Sequence, residues 1–314
     1  MRFKLLLSLS IFMVSFYSCQ KTNSTQTEEK NPNVEAISLL GQQLYAPEPS
    51  AVLLEKFQQH KTAFETAPND PDKLIWYARF MAYQARYKEA IDIYSKGIKK
   101  FPEDARIYRH RGHRYISVRE FDAAISDFEK AANLIEGKEN EVEPDGMPNA
   151  QNIPVSSLHG NIFYHLGLAY YIKHDFLKAR EAYEKCLATS TRPDNVVSAT
   201  HWLYMISRRM GEKEKAKTYL EGISSDMEII ENFNYHDLCL FYKGEITLDD
   251  LAKKAENPGS GADAILYGMG NWYYYEGEEE KAKEVFTKIL AGKGWSSFGY
   301  IAAEKEIATN FRKE

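Results

Sequence analysis

Apolar and small residues recur along this chain with a period of about 34 residues, not as one continuous amphipathic run. In one unit they fall at Gly112, Tyr115, Ala124, Phe128 and Ala131, and in a later one at Gly270, Tyr273, Ala282 and Phe286. Inside each unit the spacing is that of two amphipathic helices joined by a short turn. The predicted units span 71–104, 105–138, 160–193, 197–230 and 263–294, with a degenerate pair over 232–255 broken at Lys243-Gly244. The first carries Ala78, Ala90, Tyr94 and Gly97, and the third Gly167, Tyr170, Ala179, Tyr183 and Cys186. The fourth is weaker, with Tyr204 where a small residue is expected. Small residues belong where two helices cross closely, and aromatics fill the gap to the next unit. Each pair leaves an apolar face that only a neighbour can cover, so the ends need caps. Residues 51–66, introduced by Pro47, Pro49 and Ser50, read as the N-terminal capping helix. Residues 295–309, from Trp295 through Tyr300, Ile301 and Ile307, read as the C-terminal one. One segment breaks the pattern: 137–157 holds Pro144, Asp145-Gly146, Pro148 and Pro154 and cannot continue a helix. A loop that long inside a compact array is a candidate functional element.

A two-helix unit of this length is the signature of the tetratricopeptide (TPR) repeat. The expected fold is therefore all-α, a right-handed TPR superhelix over 36–314 with capping helices at both ends. Some stretches are more specific: RHRGHRYI at 109–116, EPDGMPN at 143–149, FYHLGLAYY at 163–171, HWLYMISRR at 201–209, GNWYYYEG at 270–277 and FGYIAAE at 298–304. Together they resemble one family of bacterial TPR lipoproteins, a family without an assigned activity. The resemblance implies fold and location and adds no chemistry.

The N-terminus fits that location. Arg2 and Lys4 precede an apolar run from Leu5 to Phe16, too short to span a bilayer, which reads as a signal peptide over 1–18. Ser18-Cys19 is similar to the lipobox of bacterial lipoproteins, with Phe16 and Tyr17 where that motif has aliphatic and small residues. The resemblance makes Cys19 the lipidated residue and the only membrane contact. Gln20 after it implies the outer membrane of a Gram-negative cell envelope. Residues 19–35 are polar and read as a disordered tether. The chain's net charge is −5, and loss of Arg2 and Lys4 with the leader deepens it, which argues against a nucleic-acid surface. Of three cysteines, Cys186 and Cys239 fall at apolar positions and read as inert core thiols, with no disulfide framework.

In TPR domains the first helix of each unit faces the inside of the superhelix, and the resemblance carries over a set of inward positions. Here they hold Arg79, Tyr83, Arg106, Arg109, His113, Asn161, Tyr164, Tyr171, His201, Met205, Arg208, Arg209, Tyr267, Asn271, Tyr274 and Tyr275, with Asp72 the one carboxylate, at the rim. That list predicts a basic, aromatic groove for a protein or peptide partner of anionic character, since arginine pairs bidentately with carboxylates. The competing readings are a set of solvated helix faces or a plain spacer. Arg111 sits where a buried leucine is usual, so it either meets a counter-ion or snorkels to solvent at a distorted unit. The inserted loop offers Glu141, Glu143 and Asp145. His110 and His113, three apart, and His201 are a weak metal signal without a third ligand at a recognised spacing. The loop acids lack the closing glutamate of a calcium loop. No nucleophile elbow or phosphate loop is present, so neither cofactor nor metal is expected. The alternative reading is an enzyme or small-ligand site built from His113, His201, Arg208 and Asp145.

Overall fold

A computed structural model describes residues 34–256 and 261–311. The expected signal peptide, Cys19 and most of the tether lie outside the described residues. The body is a series of helical hairpins: α2 (Pro71–Tyr83) with α3 (Tyr87–Lys100), α4 (Ala105–Ser117) with α5 (Phe121–Ile135), and α6 (Leu158–Ile172) with α7 (Phe176–Ala188). There follow α8 (Pro193–Arg209) with α9 (Lys213–Tyr219), α10 (Phe233–Lys243) with α11 (Leu248–Ala255), and α12 (Ala262–Tyr275) with α13 (Glu279–Leu290). The helix α1 (Ala51–Thr66) packs on α2, and α14 (Phe298–Asn310) on α12 and α13.

Local chemistry sets these boundaries. Asp70, Asp104, Ser157 and Ser297 each accept a backbone N–H at the start of α2, α4, α6 and α14. Pro71 and Pro193 take first-turn positions whose N–H would go unused. The turn inside each hairpin passes through the left-handed region at one residue: Ala85, Arg119, His174, Gly211, Gly244 or Gly277. A non-glycine residue there costs about 1–2 kcal/mol. Ala85 is buried in the core; Arg119 and His174 point elsewhere, as described below.

The small-plus-aromatic pattern is the packing. Ala78, Ala90, Ala124 and Ala179 are fully buried, and Tyr94, Phe128, Tyr183 and Phe286 fill the gaps between hairpins. A Cβ added at Gly112 would lie 2.9 Å from the Phe128 ring, and at Gly167 2.6 Å from Tyr183. In the fourth unit Tyr204 is too large for that contact. It stacks on Tyr242 with ring centres 4.1 Å apart, and its partner α9 is only 7 residues long.

Two expectations need correcting. The polar tether does not extend to residue 35, because β1 (Val34–Ile37) pairs antiparallel with β2 (Gln43–Tyr45). Ala36 and Leu44 bury on one side of this hairpin, and Glu35 accepts the Lys88 backbone N–H. The C-terminal helix starts at Phe298, not at Trp295. Trp295 lies in the preceding turn, edge-on to Tyr87, with its indole donating to the Tyr45 carbonyl at 2.9 Å. The last turn before α14 thus touches the first strands.

Gly167→Ala gains helix propensity of about 1 kcal/mol yet must push back the buried Tyr183 ring. The expected net result is a loss of about 1–2 kcal/mol, read from chemical denaturation. A stability gain would show that the hairpin contact can relax.

Candidate functional site

The insert between α5 and α6 folds into a braced strap. Its arms approach each other where the Glu143 N–H donates to the Ser156 carbonyl at 3.0 Å and the Leu158 N–H to that of Glu141 at 2.9 Å. At its tip the Asn149 side-chain oxygen accepts the Gln151 and Ile153 N–H groups, while its amide donates to Glu231 at 3.1 Å. Val155 is buried, and its carbonyl receives the Asn195 amide at 2.8 Å. Backbone groups that a bare loop would leave unmet are thereby paired.

The strap lies across α2 and α4. Glu143 Oε2 comes 3.0 Å from Arg109 Nε, and both side chains are at most 10% exposed. Neither of these two atoms makes an aligned hydrogen bond. Arg79 donates to the Pro144 carbonyl at 2.9 Å, and Gly146 seats against the Tyr83 ring so closely that a Cβ would fall 2.4 Å from its hydroxyl. Three cavities border the strap. One of about 190 Å³ opens between Glu141–Pro144 and Ile75, Trp76 and Arg106. A second, about 170 Å³, is lined by Tyr83, Arg109, His113, Arg114 and Asp145. The third, about 230 Å³, is lined by Tyr164, His165, Asn195, Glu231, Tyr235 and Phe298. The first two share Arg79, His110, Glu143 and Pro144, and the last two adjoin at Ser156 and Asn161 to line the strap cleft. Facing it, His113, Arg114, Asp145 and Asn161 have side chains with no hydrogen bond or ion pair among the described residues, although Arg114 lies over the Tyr87 ring.

Further along, the inner helices meet one another. The hydroxyls of Tyr171 on α6 and Tyr267 on α12 are 2.7 Å apart, and the Asn271 amide donates to Tyr171 at 3.2 Å. Arg209 donates to Asn271 at 2.9 Å and to Glu306 of α14 at 3.0 Å, while lying over the Tyr274 ring at 4.3 Å. Trp202 donates to the Tyr164 hydroxyl, which donates in turn to Tyr235. Burial alone would raise the Glu306 carboxyl, but His174 and Arg209 beside it outweigh that and hold it low.

Residues 160–190, the third hairpin, match the family model for the tetratricopeptide repeat. The third hairpin is thus a tetratricopeptide repeat, and the other hairpins share its two-helix form. No curated protein matches the chain. Among solved structures it is similar to a TPR protein from Parabacteroides merdae, at 17% identity over 82% of this chain and 93% of that one, with a TM-score of 0.49. It is also similar to YrrB, described as a TPR protein with an unusual peptide-binding site, at 17% identity over 78% and 95%, TM-score 0.42. A third is MamA from Desulfovibrio magneticus RS-1, at 18% over 54% and 82%, TM-score 0.41. At these identities none of them bears on what this chain binds.

The TPR groove is not the open basic trough expected from the inward positions. Its arginines are already paired: Arg106 with the rim Asp72 and with Asp104, and, from outside that set, Arg109 with Glu143, Arg208 with Glu276 at 2.6 Å and Arg209 with Glu306. Arg79 is held by Tyr83 and the Pro144 carbonyl. A guanidinium leaving water requires such acceptors, and the acids sit on the strap, the hairpin turns and α14, which a helix-by-helix reading does not bring together. Arg111 does not meet the strap either. It pairs bidentately with Asp127 of its own repeat, both bonds at 2.7 Å, while the strap acid goes to Arg109.

The enzyme constellation does not assemble. His113 and Asp145 border one cleft, but His201 hydrogen-bonds Tyr242 among buried aromatics and Arg208 is tied to Glu276. His110 stacks on Tyr94 and accepts from Arg109, whereas His113 packs on His165 and Phe298. Among the described residues no group of three or more His, Cys, Asp or Glu is placed to hold a metal. Cys186 and Cys239 are buried, and burial pushes the Cys186 thiol up to about 12. Met205 is core, and Tyr275 underlies Arg208. Sequence reading missed Arg114, Arg119, His174, Glu304 and Glu306. A signal existed for two of them: Arg119 and His174 stand at turn positions where later repeats use glycine.

Burial drives the His201 imidazole down to about 3 and holds His110, His113 and His165 well below the usual histidine range. In the unfolded chain all four protonate near 6.5, so below that pH the unfolded state binds more protons. Stability present above pH ~6.5 is therefore lost as pH falls toward ~3. Going from pH ~7.5 to ~5.5 should cost about 1.4 kcal/mol for each such histidine, measured by urea unfolding. An unchanged midpoint would mean the rings are charged and paired in the fold.

Proposed function

We propose that the chain is a lipid-anchored TPR scaffold of the bacterial cell envelope that binds a protein or peptide partner in the cleft beneath the strap. The reading rests on one observation: four polar side chains that line this cleft, Arg114, His113, Asn161 and Asp145, have no hydrogen-bond or ion-pair partner among the described residues. Its two parts, about 170 and 230 Å³, suit side chains or a short tail and not a whole helix. The anionic character of the partner narrows to one contact. Of the arginines lining the cleft, Arg109 meets Glu143 and Arg79 is held by Tyr83 and the Pro144 carbonyl, while Arg114 has no hydrogen-bond acceptor among the described residues. A carboxylate of the partner would meet it there.

A photo-crosslinking residue at Ser156, introduced in cells, should give a discrete crosslinked product. The same residue at exposed Lys96 on α3 should not. Arg114→Glu should reduce the Ser156 product about tenfold or more, the worth of a charge-assisted bond replaced by repulsion. Equal products from both positions would remove the cleft from the reading.

The anchor has its own test. Cys19→Ala should abolish labelling by a clickable fatty acid and shift the chain from the membrane to the soluble fraction, since attachment rests on acyl chains. Retained labelling, or a wild-type chain without label, would overturn the anchor and leave the cleft unaffected.

A further inference from the structure

The C-terminal helix packs through Tyr300, Ile301, Ala302 and Ala303, which are buried, and two buried carboxylates are added to that apolar contact. Glu304 and Glu306 on α14 are each about 1% exposed. Glu304 receives Arg119 Nε at 2.9 Å, and the same guanidinium donates to the carbonyls of Ser117 and Trp295. Glu306 faces both guanidinium nitrogens of Arg209, the Tyr267 hydroxyl at 3.2 Å and His174 Nε2 at 3.5 Å. Phe298, at the start of the helix, packs on His113 and His165. One helix thus meets side chains from α4, α6, α8 and α12 and two hairpin turns.

Two features distinguish this from ordinary capping. Arg119 and His174 keep the left-handed conformation (φ 69° and 61°) without being glycine, and both side chains are directed at α14 carboxylates. The hold is also incomplete: Glu304 Oε1 is buried with no hydrogen-bond partner. Buried ion pairs recover their hydration when separated, so such a contact specifies a partner more than it stabilises one. The segment 291–297 before α14 contains Gly292 and Gly294, which suits a hinge.

We propose that α14 is an internal ligand, releasable as a unit, and that its seat accepts in trans a helix of the same chemistry: an aromatic residue followed six and eight positions later by carboxylates. The seat shares Phe298, His113 and His165 with the strap cleft, and its charged contacts, from Arg119, His174 and Arg209, involve none of the residues that line the cleft.

The test uses the full chain and a fluorescent peptide of residues 294–311 as the probe. In the Glu304→Gln/Glu306→Gln chain, hydrogen exchange over 298–310 should accelerate at least tenfold while α3 and α5 keep their protection. That chain should bind the native peptide at least tenfold more tightly than wild type does. A peptide carrying the same two glutamines should bind at least tenfold more weakly than the native one. Dimers of the variant chain that dissociate on adding native peptide would also support the seat. Unchanged exchange over 298–310, or equal binding of the two peptides, would overturn the proposal. So would loss of protection throughout the solenoid, which would make α14 a structural staple.

Discussion

Charge taken out of water must be answered, and that requirement shapes the inner face of this solenoid more than helix packing does. The inward positions carry five arginines from three repeats, Arg79, Arg106, Arg109, Arg208 and Arg209. Hairpins alone supply almost no acid to the same face. Apart from Asp72 and Asp104, which hold Arg106, the acceptors come from Glu143 on the strap, Glu276 beside a hairpin turn and Glu306 on α14. Glu143 and Glu306 each recruit an element that a regular array would leave outside. The strap is drawn over α2 and α4, and the C-terminal helix is drawn into contact with repeats far from it in sequence. Because removing one partner of a buried pair is far more costly than replacing both, these contacts fix arrangement more firmly than they add net stability.

The fold was largely legible, for a local reason. Ala90, Ala124 and Gly167 are small because two helices cross within a few residues of one another, and the aromatic that fills each gap lies in the same unit. Short-range geometry of that kind appears directly as a period. The exceptions follow the same logic. Val34–Ile37 and Gln43–Tyr45 are too brief to show strand alternation, and their apolar side is only Ala36 and Leu44. The site was legible only in part. His113, Asn161 and Tyr164 do face one cleft, but the state of each arginine depends on how tightly the superhelix curls, which no single repeat encodes. Arg111 shows the limit well: its counter-ion, Asp127, was sixteen residues away on the next helix, while the distant loop acids looked more inviting.

Neutral imidazoles follow from the same constraint. His110 and His113 stand among Arg109 and Arg114, where a further positive charge would be both desolvated and repelled. His110 Nδ1 accepts from the Arg109 guanidinium, so its proton sits on Nε2, toward the Glu143 carboxylate 3.8 Å away. The ring thus extends the ion pair as a dipole, without adding charge to it.

How narrow the interior is decides where a partner can enter. Tyr171 on α6 and Tyr267 on α12 touch hydroxyl to hydroxyl although two whole hairpins lie between theirs in sequence. At that level two side chains span the hollow, and α14 with Glu306 occupies what is left. An extended segment therefore has no continuous path along the inner face. It can engage from the side where the strap runs from α4 toward Asn195 and Glu231, where the wall opens into two adjoining cavities. A long insert in the middle of the array, not a wider superhelix, is what gives this solenoid an accessible inner surface.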